Sequence, residues 1–167
     1  MFEDRLEVTN PGSPLVDSKH FINATPQSRN KTLASLFRRL GICEELGRGW
    51  DKIVSEIEMR HLPAPRIQVH EDDTRVILYA ARPLSEMNSR DRIRAIYLHA
   101  CFQYAGGKGI TNTTVRKRFG MNRSNIAKVS RMLTEALTAG EIVPVDPDSS
   151  RKFMQYYPYW VHADESL

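Results

Sequence analysis

The sequence predicts an α+β chain of two modules, a sheet-and-helix unit followed by three helices and a β-hairpin. Three observations lead there. Apolar residues alternate near both ends of residues 2–81 but recur every three or four positions between them. A polar stretch without period separates residues 1–82 from residues 89–163. Positive charge gathers in the second part.

The first module opens with Phe2, Arg5, Leu6, Glu7 and Val8 in strand-like alternation, which breaks at Asn10-Pro11-Gly12 and Pro14. From Asn30 the spacing of Leu33, Leu36, Phe37 and Leu40 is helical, and Gly41 suits the C-terminal cap. A second helix, near Trp50 to Arg60, carries Trp50, Ile53, Val54 and Ile57 on one face and ends before Pro63. Ile67 and Val69 alternate with polar residues, Glu71-Asp72-Asp73 turns the chain, and Val76 to Tyr79 is expected to return as a buried strand. Residues 83–88 form the expected linker.

In the second module Ser89 is the expected N-cap of a helix with Ile93, Ile96, Tyr97, Ala100 and Tyr104 on one face, broken at Gly106-Gly107. Thr111 can cap a short second helix through Val115 and Phe119, closed by Gly120. A third helix starts near Asn122 to Ser124, with Ile126, Val129, Leu133 and Leu137 in line. Residues 142–145 read as a strand, 146–150 as a turn and 153–159 as the partner strand. Three helices and a hairpin in this order make a winged helix-turn-helix.

The chain has 167 residues, 41% hydrophobic and 26% charged, which is the composition of a folded protein. It contains no apolar run near the roughly 20 residues that cross a bilayer, and MFEDRLEV lacks the layout of a secretory signal, so the cytoplasm is the expected compartment and no membrane partner is expected. Cys43 and Cys101 stand alone in sequence and are expected as reduced thiols. Residues 1–86 carry 12 Lys/Arg against 13 Asp/Glu, whereas residues 87–167 carry 12 against 7. Between Arg90 and Arg131 there are ten basic residues and one acid, Asp91.

At 100° per residue the apolar stripe of helix three turns Ser124, Lys128 and Arg131 outward, with Asn125 and Met132 at the margins. Such a face can enter the major groove N-terminal end first, with Arg123 beside it. Arg and Lys donate to guanine edges and Asn pairs with adenine. Arg116, Lys117 and Arg118 at the end of helix two suit flanking phosphates, and Arg151 and Lys152 on the wing can reach neighbouring backbone. Double-stranded DNA is therefore the expected partner. The competing readings are a soluble basic surface or a winged helix that binds protein.

Three runs carry a resemblance: DRLEVTNPG at 4–12, RNKTLASLFRRLGICEELGRGWDKIV at 29–54 and RVILY at 75–79. Together they resemble the C-terminal part of the helicase-related ATP-binding domain of bacterial AlbA/Schlafen-type transcriptional regulators, over about residues 2–81. In that family a winged helix commonly follows, and QYYPYWV at 155–161 is similar to its last strand. The resemblance implies a truncated GHKL-like (histidine-kinase-like) module with ATP as the implied ligand. It puts Asn10, Pro11 and Gly12 where an adenine-contacting Asp-x-Gly box lies, and Gly47, Arg48 and Gly49 at the glycine loop. Asn10 replaces the carboxylate of that box. The helix that supplies the Mg²⁺-binding Asn in the family precedes the first strand, upstream of Met1, so ATP hydrolysis is not expected. Gly47 and Gly49 also have a plainer use, turning a loop tightly into a helix, and Asp51 in the first helical turn would repel phosphate.

Nothing else points to catalysis. His20, His61, His70, His99 and His162 lack metal-site spacing and are expected as surface or packed residues; neither a metal nor a cofactor is expected. Tyr156, Tyr157, Tyr159 and Trp160 are expected to pack the last strand under the first helix of their module, with base stacking as the alternative. The expected function is a DNA-binding transcriptional regulator and not an enzyme. A degenerate nucleotide or small-ligand site in residues 10–50 is one alternative. The other is a protein-protein adaptor that dimerises through the open edge of the first strand.

Overall fold

The computed structural model describes residues 2–18, 21–22, 24–25, 27–42 and 48–161. Its order is β1 (Arg5–Pro11), α1 (Lys31–Arg39), α2 (Arg48–Met59), β2 (Arg66–Val69), β3 (Asp73–Tyr79), α3 (Ser89–Ala105), α4 (Asn112–Arg118), α5 (Ile126–Thr138), β4 (Ile142–Pro144) and β5 (Tyr156–Pro158). Short 3-10 turns at Leu84–Glu86 and Arg123–Asn125 precede α3 and α5. The chain is α+β.

β1, β3 and β2 form an antiparallel sheet in that order, with Leu6 opposite Leu78 and Val8 opposite Val76. The strand at 76–79, expected to be buried, is half-buried and has only Ile77 in the interior. The core lies elsewhere, under the helices. α1 is capped as its sequence suggests: Asn30 Oδ1 accepts the Leu33 N–H at 2.9 Å, and Gly41, at φ 68°, lets the Ile42 N–H reach the Phe37 carbonyl at 2.9 Å. Yet α1 buries none of its residues.

α2 does bury its stripe. Val54 and Ile57 pack with Ala64 against Ala95 and Leu98 of α3, flanked by Trp50 and Ile53. His61, with φ 55°, turns the chain out of the helix. The expected linker is tied down: Met87 is buried and its carbonyl accepts from Arg92 Nη1 at 2.6 Å.

α3 is the centre of the molecule. Ser89 was expected to cap it, but the cap is Asn88, whose Oδ1 accepts the Asp91 N–H at 2.9 Å and displaces Ser89 into the first turn. Ala95 and Leu98 face α2, Ile96 and Ala100 face α4 and α5, and Cys101 faces Trp160 and Val161. A helix covered on several sides needs no single apolar stripe. The aromatic end of the chain packs on it: Tyr159 stacks on Tyr97, Tyr157 and Trp160 meet Tyr104 edge-on, and Trp160 Nε1 donates to Tyr97 Oη at 3.2 Å. These rings serve the core.

The second core joins Ile96, Ile110, Val115, Val129, Met132, Leu133 and Ile142. Met132, expected at the margin of α5, is buried, while Ile126 and Leu137 at the stripe's ends are exposed. The stripe is rotated toward Met132 because Val129, Met132, Leu133 and Ala136 meet α3 and α4. β4 and β5 pair antiparallel, with Ile142 opposite Pro158. Ile110, between α3 and α4, adds a rung by exchanging two 2.9 Å backbone hydrogen bonds with Tyr156. Phe153 was expected in the second strand; it lies in the preceding turn instead, 68% exposed, where its N–H bonds the Ser150 carbonyl.

Candidate nucleic-acid interface

α4, a tight turn and α5 make the site. Thr111 Oγ1 accepts the Thr114 N–H and Thr114 Oγ1 accepts the Thr111 N–H, a reciprocal cap that starts α4 where the sequence suggests. Gly120, at φ 62°, closes the helix in a conformation other residues resist. Asn122 Oδ1 then accepts from the Ser124 N–H and from Asn125 Nδ2, which fixes the entry to α5. Asn112 Nδ2 donates to the Ile126 carbonyl and Ser130 Oγ, both at 3.0 Å, and so bolts α4 to α5.

With Val129, Met132, Leu133 and Ala136 inside, Lys128 and Arg131 are left exposed on the outer face of α5; Ser124, expected on that helix, lies with Arg123 in the exposed 3-10 turn before it, held there by Asn122. Asn125 is half-buried. Lys117 is exposed at the end of α4. Arg116 is half-buried and held against its own helix, its Nε on Asn112 Oδ1 and its Nη2 on Thr113 Oγ1, each at 3.0 Å.

Arg118 must be removed from the set. It was expected to meet flanking phosphates, but its side chain is fully buried, with Nε 2.6 Å from Glu58 Oε1 and Nη2 donating to the Leu62 carbonyl at 2.7 Å. The other oxygen of Glu58 lies 2.6 Å from His99 Nδ1. One carboxylate on α2 thus clamps α3 and α4. His61 Nδ1 adds a 3.1 Å contact to the Arg118 carbonyl.

The hairpin supplies the far wall. Arg151 and Lys152 are exposed in its loop, Lys152 Nζ sitting 5.3 Å from the Phe153 ring centre. Arg131 of α5 and Arg151 of the hairpin line one cleft of about 290 Å³ together with Asn112 and Tyr156. Two exposed acids, Asp146 and Asp148, lie earlier in the same loop; hydrogen bonds from Ser149 Oγ and the Asp148 N–H hold the Asp146 carboxyl below its ordinary range. Glu135, the acid of α5, turns toward α3, where Ser89 Oγ donates to it at 2.9 Å.

The implied nucleotide positions are differently built. Asn10 lies in β1 opposite Thr74. Gly12, at φ 84°, donates its N–H to the Asp72 carbonyl at 2.7 Å and accepts Thr74 Oγ1 at 2.8 Å. A Cβ on Gly12 would sit 3.3 Å from the Arg29 guanidinium, which itself donates to the Ser13 carbonyl. That turn uses its polar groups internally. Gly49 lies in the first turn of α2, and Gly47 lies outside the described residues. No cluster of three or more His, Cys, Asp or Glu able to hold a metal occurs among the described residues.

Residues 1–78 match the family model described as "Putative ATP-dependent DNA helicase recG C-terminal". This stretch is thus similar to a helicase-related, ATPase-like fragment. No curated protein and no solved structure matches the chain. No helix among the described residues is long and apolar enough to cross a membrane.

Two features of the interface depart from the sequence expectation. Nothing in the neighbourhood of Asn112 distinguishes a cap-adjacent Asn from a cross-helix bolt. The fate of Arg118 was readable: it follows Val115 by three positions and so shares its inward face.

Proposed function

We propose that residues 89–161 are a winged helix that binds duplex DNA, with α5 in the major groove and the β4–β5 loop as wing, and that the protein is a DNA-binding transcriptional regulator. One observation carries this reading: Lys128 and Arg131 are exposed on α5 away from its buried ridge, Ser124 is exposed in the turn that leads into it, and Arg131 shares a cleft with Arg151 of the hairpin. A helix face with that chemistry matches base edges, and cations on either side match the two phosphate strands. Lys117, Arg123, Lys128, Arg131, Arg151 and Lys152 are the exposed cations of the surface. If all of them neutralise phosphates, the log–log salt slope approaches about −5 per protomer, from roughly −0.9 per contact. Fluorescence anisotropy with random-sequence duplexes across a salt series measures it. Lys128→Glu with Arg131→Glu abolishes binding on this reading; wild-type affinity in that variant overturns it. Selection of bound sequences from random DNA then reports what α5 reads.

The first module acts in this proposal as scaffold and not as an ATPase. The internally satisfied turn at Gly12 supports that role. A thermal melt with ATP and Mg²⁺ should leave the midpoint unchanged, since a ligand held by the folded state alone would raise it. The outer edge of β1, unpaired among the described residues, and the exposed apolar face of α1 favour a homodimer. Two-fold symmetry would then space DNA half-sites by about one helical turn or a multiple.

A further inference from the structure

A cleft lies away from the exposed face of α5, between α2, β2 and α3. Its volume is about 450 Å³, within the range of roughly 300 to 1,000 Å³ that small-molecule sites occupy. Its floor is apolar: Trp50 from α2, Ile67 from β2, and Ile93 and Leu98 from α3. Phe21 meets Trp50 edge-on with ring centres 5.3 Å apart, so an aromatic wall is already assembled. Its charged lining is lopsided, with Arg66, Arg90 and Arg94 against a single carboxylate, Glu141. Arg94 is engaged by Asp91 at 3.1 Å, whereas Arg66 and Arg90 are exposed at the rim.

An apolar floor with guanidinium groups at its mouth has one natural complement. We infer that this cleft is a binding site for a small organic acid with an aromatic or aliphatic body, its carboxylate held by Arg66 and Arg90 and its body lying against Trp50, Ile67 and Ile93. Guanidinium is the side chain best suited to grip a carboxylate in two parallel hydrogen bonds, and the rings and aliphatic chains behind it take the apolar remainder out of water. The cleft draws on both modules and touches Ala139 at the end of α5. A ligand there contacts the sheet-and-helix unit, α3 and the base of α5 at once. The site stands on its own geometry and is independent of the DNA reading.

Calorimetric titration of the whole chain without DNA tests it, using 2-naphthoate and dodecanoate as probes and 2-naphthamide as the uncharged counterpart. Saturable one-to-one binding of at least one acid is expected, with the amide weaker by about tenfold or more, since it lacks the charge the arginines pair with. Arg66→Met with Arg90→Met should weaken the acid by a similar factor and leave the amide unchanged. Ile93→Trp, which fills the cleft, should weaken both; circular dichroism and a thermal melt show that each variant is folded. Failure of both acids to bind at millimolar concentration, equal binding of acid and amide, or acid binding untouched by the arginine replacements overturns the assignment.

Discussion

Replacing Glu58 tests how α2 is joined to α3 and α4. Its side chain is 9% exposed and reaches a fully buried Arg118 and a nearly buried His99. Glu58→Ala leaves the Arg118 guanidinium in the interior without its counter-charge and with the Leu62 carbonyl as its remaining partner, while Arg118 Nη1 has no acceptor among the described residues. Removing one member of a buried pair costs about 3–5 kcal/mol, mostly the penalty of the charge left behind. In a chain of this size each kcal/mol moves the melting midpoint by roughly 2–4 °C, so a fall of roughly 6 to 20 °C is expected. Urea unfolding gives the free energy directly. Replacing both partners, Glu58→Leu with Arg118→Met, should recover most of the loss, because the cost belongs to the orphaned charge. Glu56 of the same helix and Arg60, just past its end, make an exposed pair at 2.7 Å, and Glu56→Ala should leave the midpoint unchanged. A Glu58→Ala protein within about 0.5 kcal/mol of wild type would refute the clamp.

The remaining perturbations are simpler. Thr111→Ala removes the reciprocal cap of α4 and should cost about 1 kcal/mol in urea unfolding, with Thr111→Ser restoring most of it. Burial pushes the Cys101 thiol up to about 11, whereas an unfolded thiol ionises near 8.5. The unfolded chain therefore loses its proton first, and stability contributed by the neutral thiol is intact below about 8.5 and declines as pH rises toward about 11. Urea midpoints across that window should fall less steeply in Cys101→Ala than in the wild type. In a Cys43→Ser background, the native Cys101 should react with a thiol reagent far more slowly at neutral pH than the urea-unfolded chain does.

Local chemistry was legible where a side chain acts within a few residues of itself. Asn30, Thr111, Gly41 and Gly120 punctuate helices as their types suggest, because caps and left-handed turns are decided by adjacent backbone. The outward face of α5 was legible too, since its ridge fixes the opposite side. Tertiary choices were not. Ser89 and Asn88 are both good caps, and only the packing of α3 decides between them. Arg118 sits in a basic run that reads as surface, yet its partner Glu58 lies 60 positions earlier, a pairing no local pattern encodes. The cleft at Arg66 and Arg90 is likewise assembled from distant segments, so its lining residues have no common motif.

α1 is where local pattern and tertiary structure part most clearly, and it makes the last test. Its sequence has a strong apolar face, yet Leu33, Leu36, Phe37, Leu40 and Ile42 are all more than a third exposed. An isolated helix of this length is marginal in water and normally persists by burying such a face. A solitary apolar side chain on a surface needs no explanation, but Leu33, Leu36, Phe37 and Leu40 at helical spacing, with Ile42 just beyond, form a patch of the kind that marks an interaction site. β1 adds a sheet edge that is unpaired among the described residues, with Leu6 and Val8 also exposed. Covering this area with a second copy would remove both liabilities at once. Sedimentation equilibrium should therefore show concentration-dependent dimers, and Leu36→Glu with Phe37→Glu should shift the population to monomer without lowering the melting midpoint measured at high dilution. A wild-type chain that stays monomeric at the highest soluble concentration would exclude self-pairing through this surface, and DNA half-site symmetry would lose its physical basis with it.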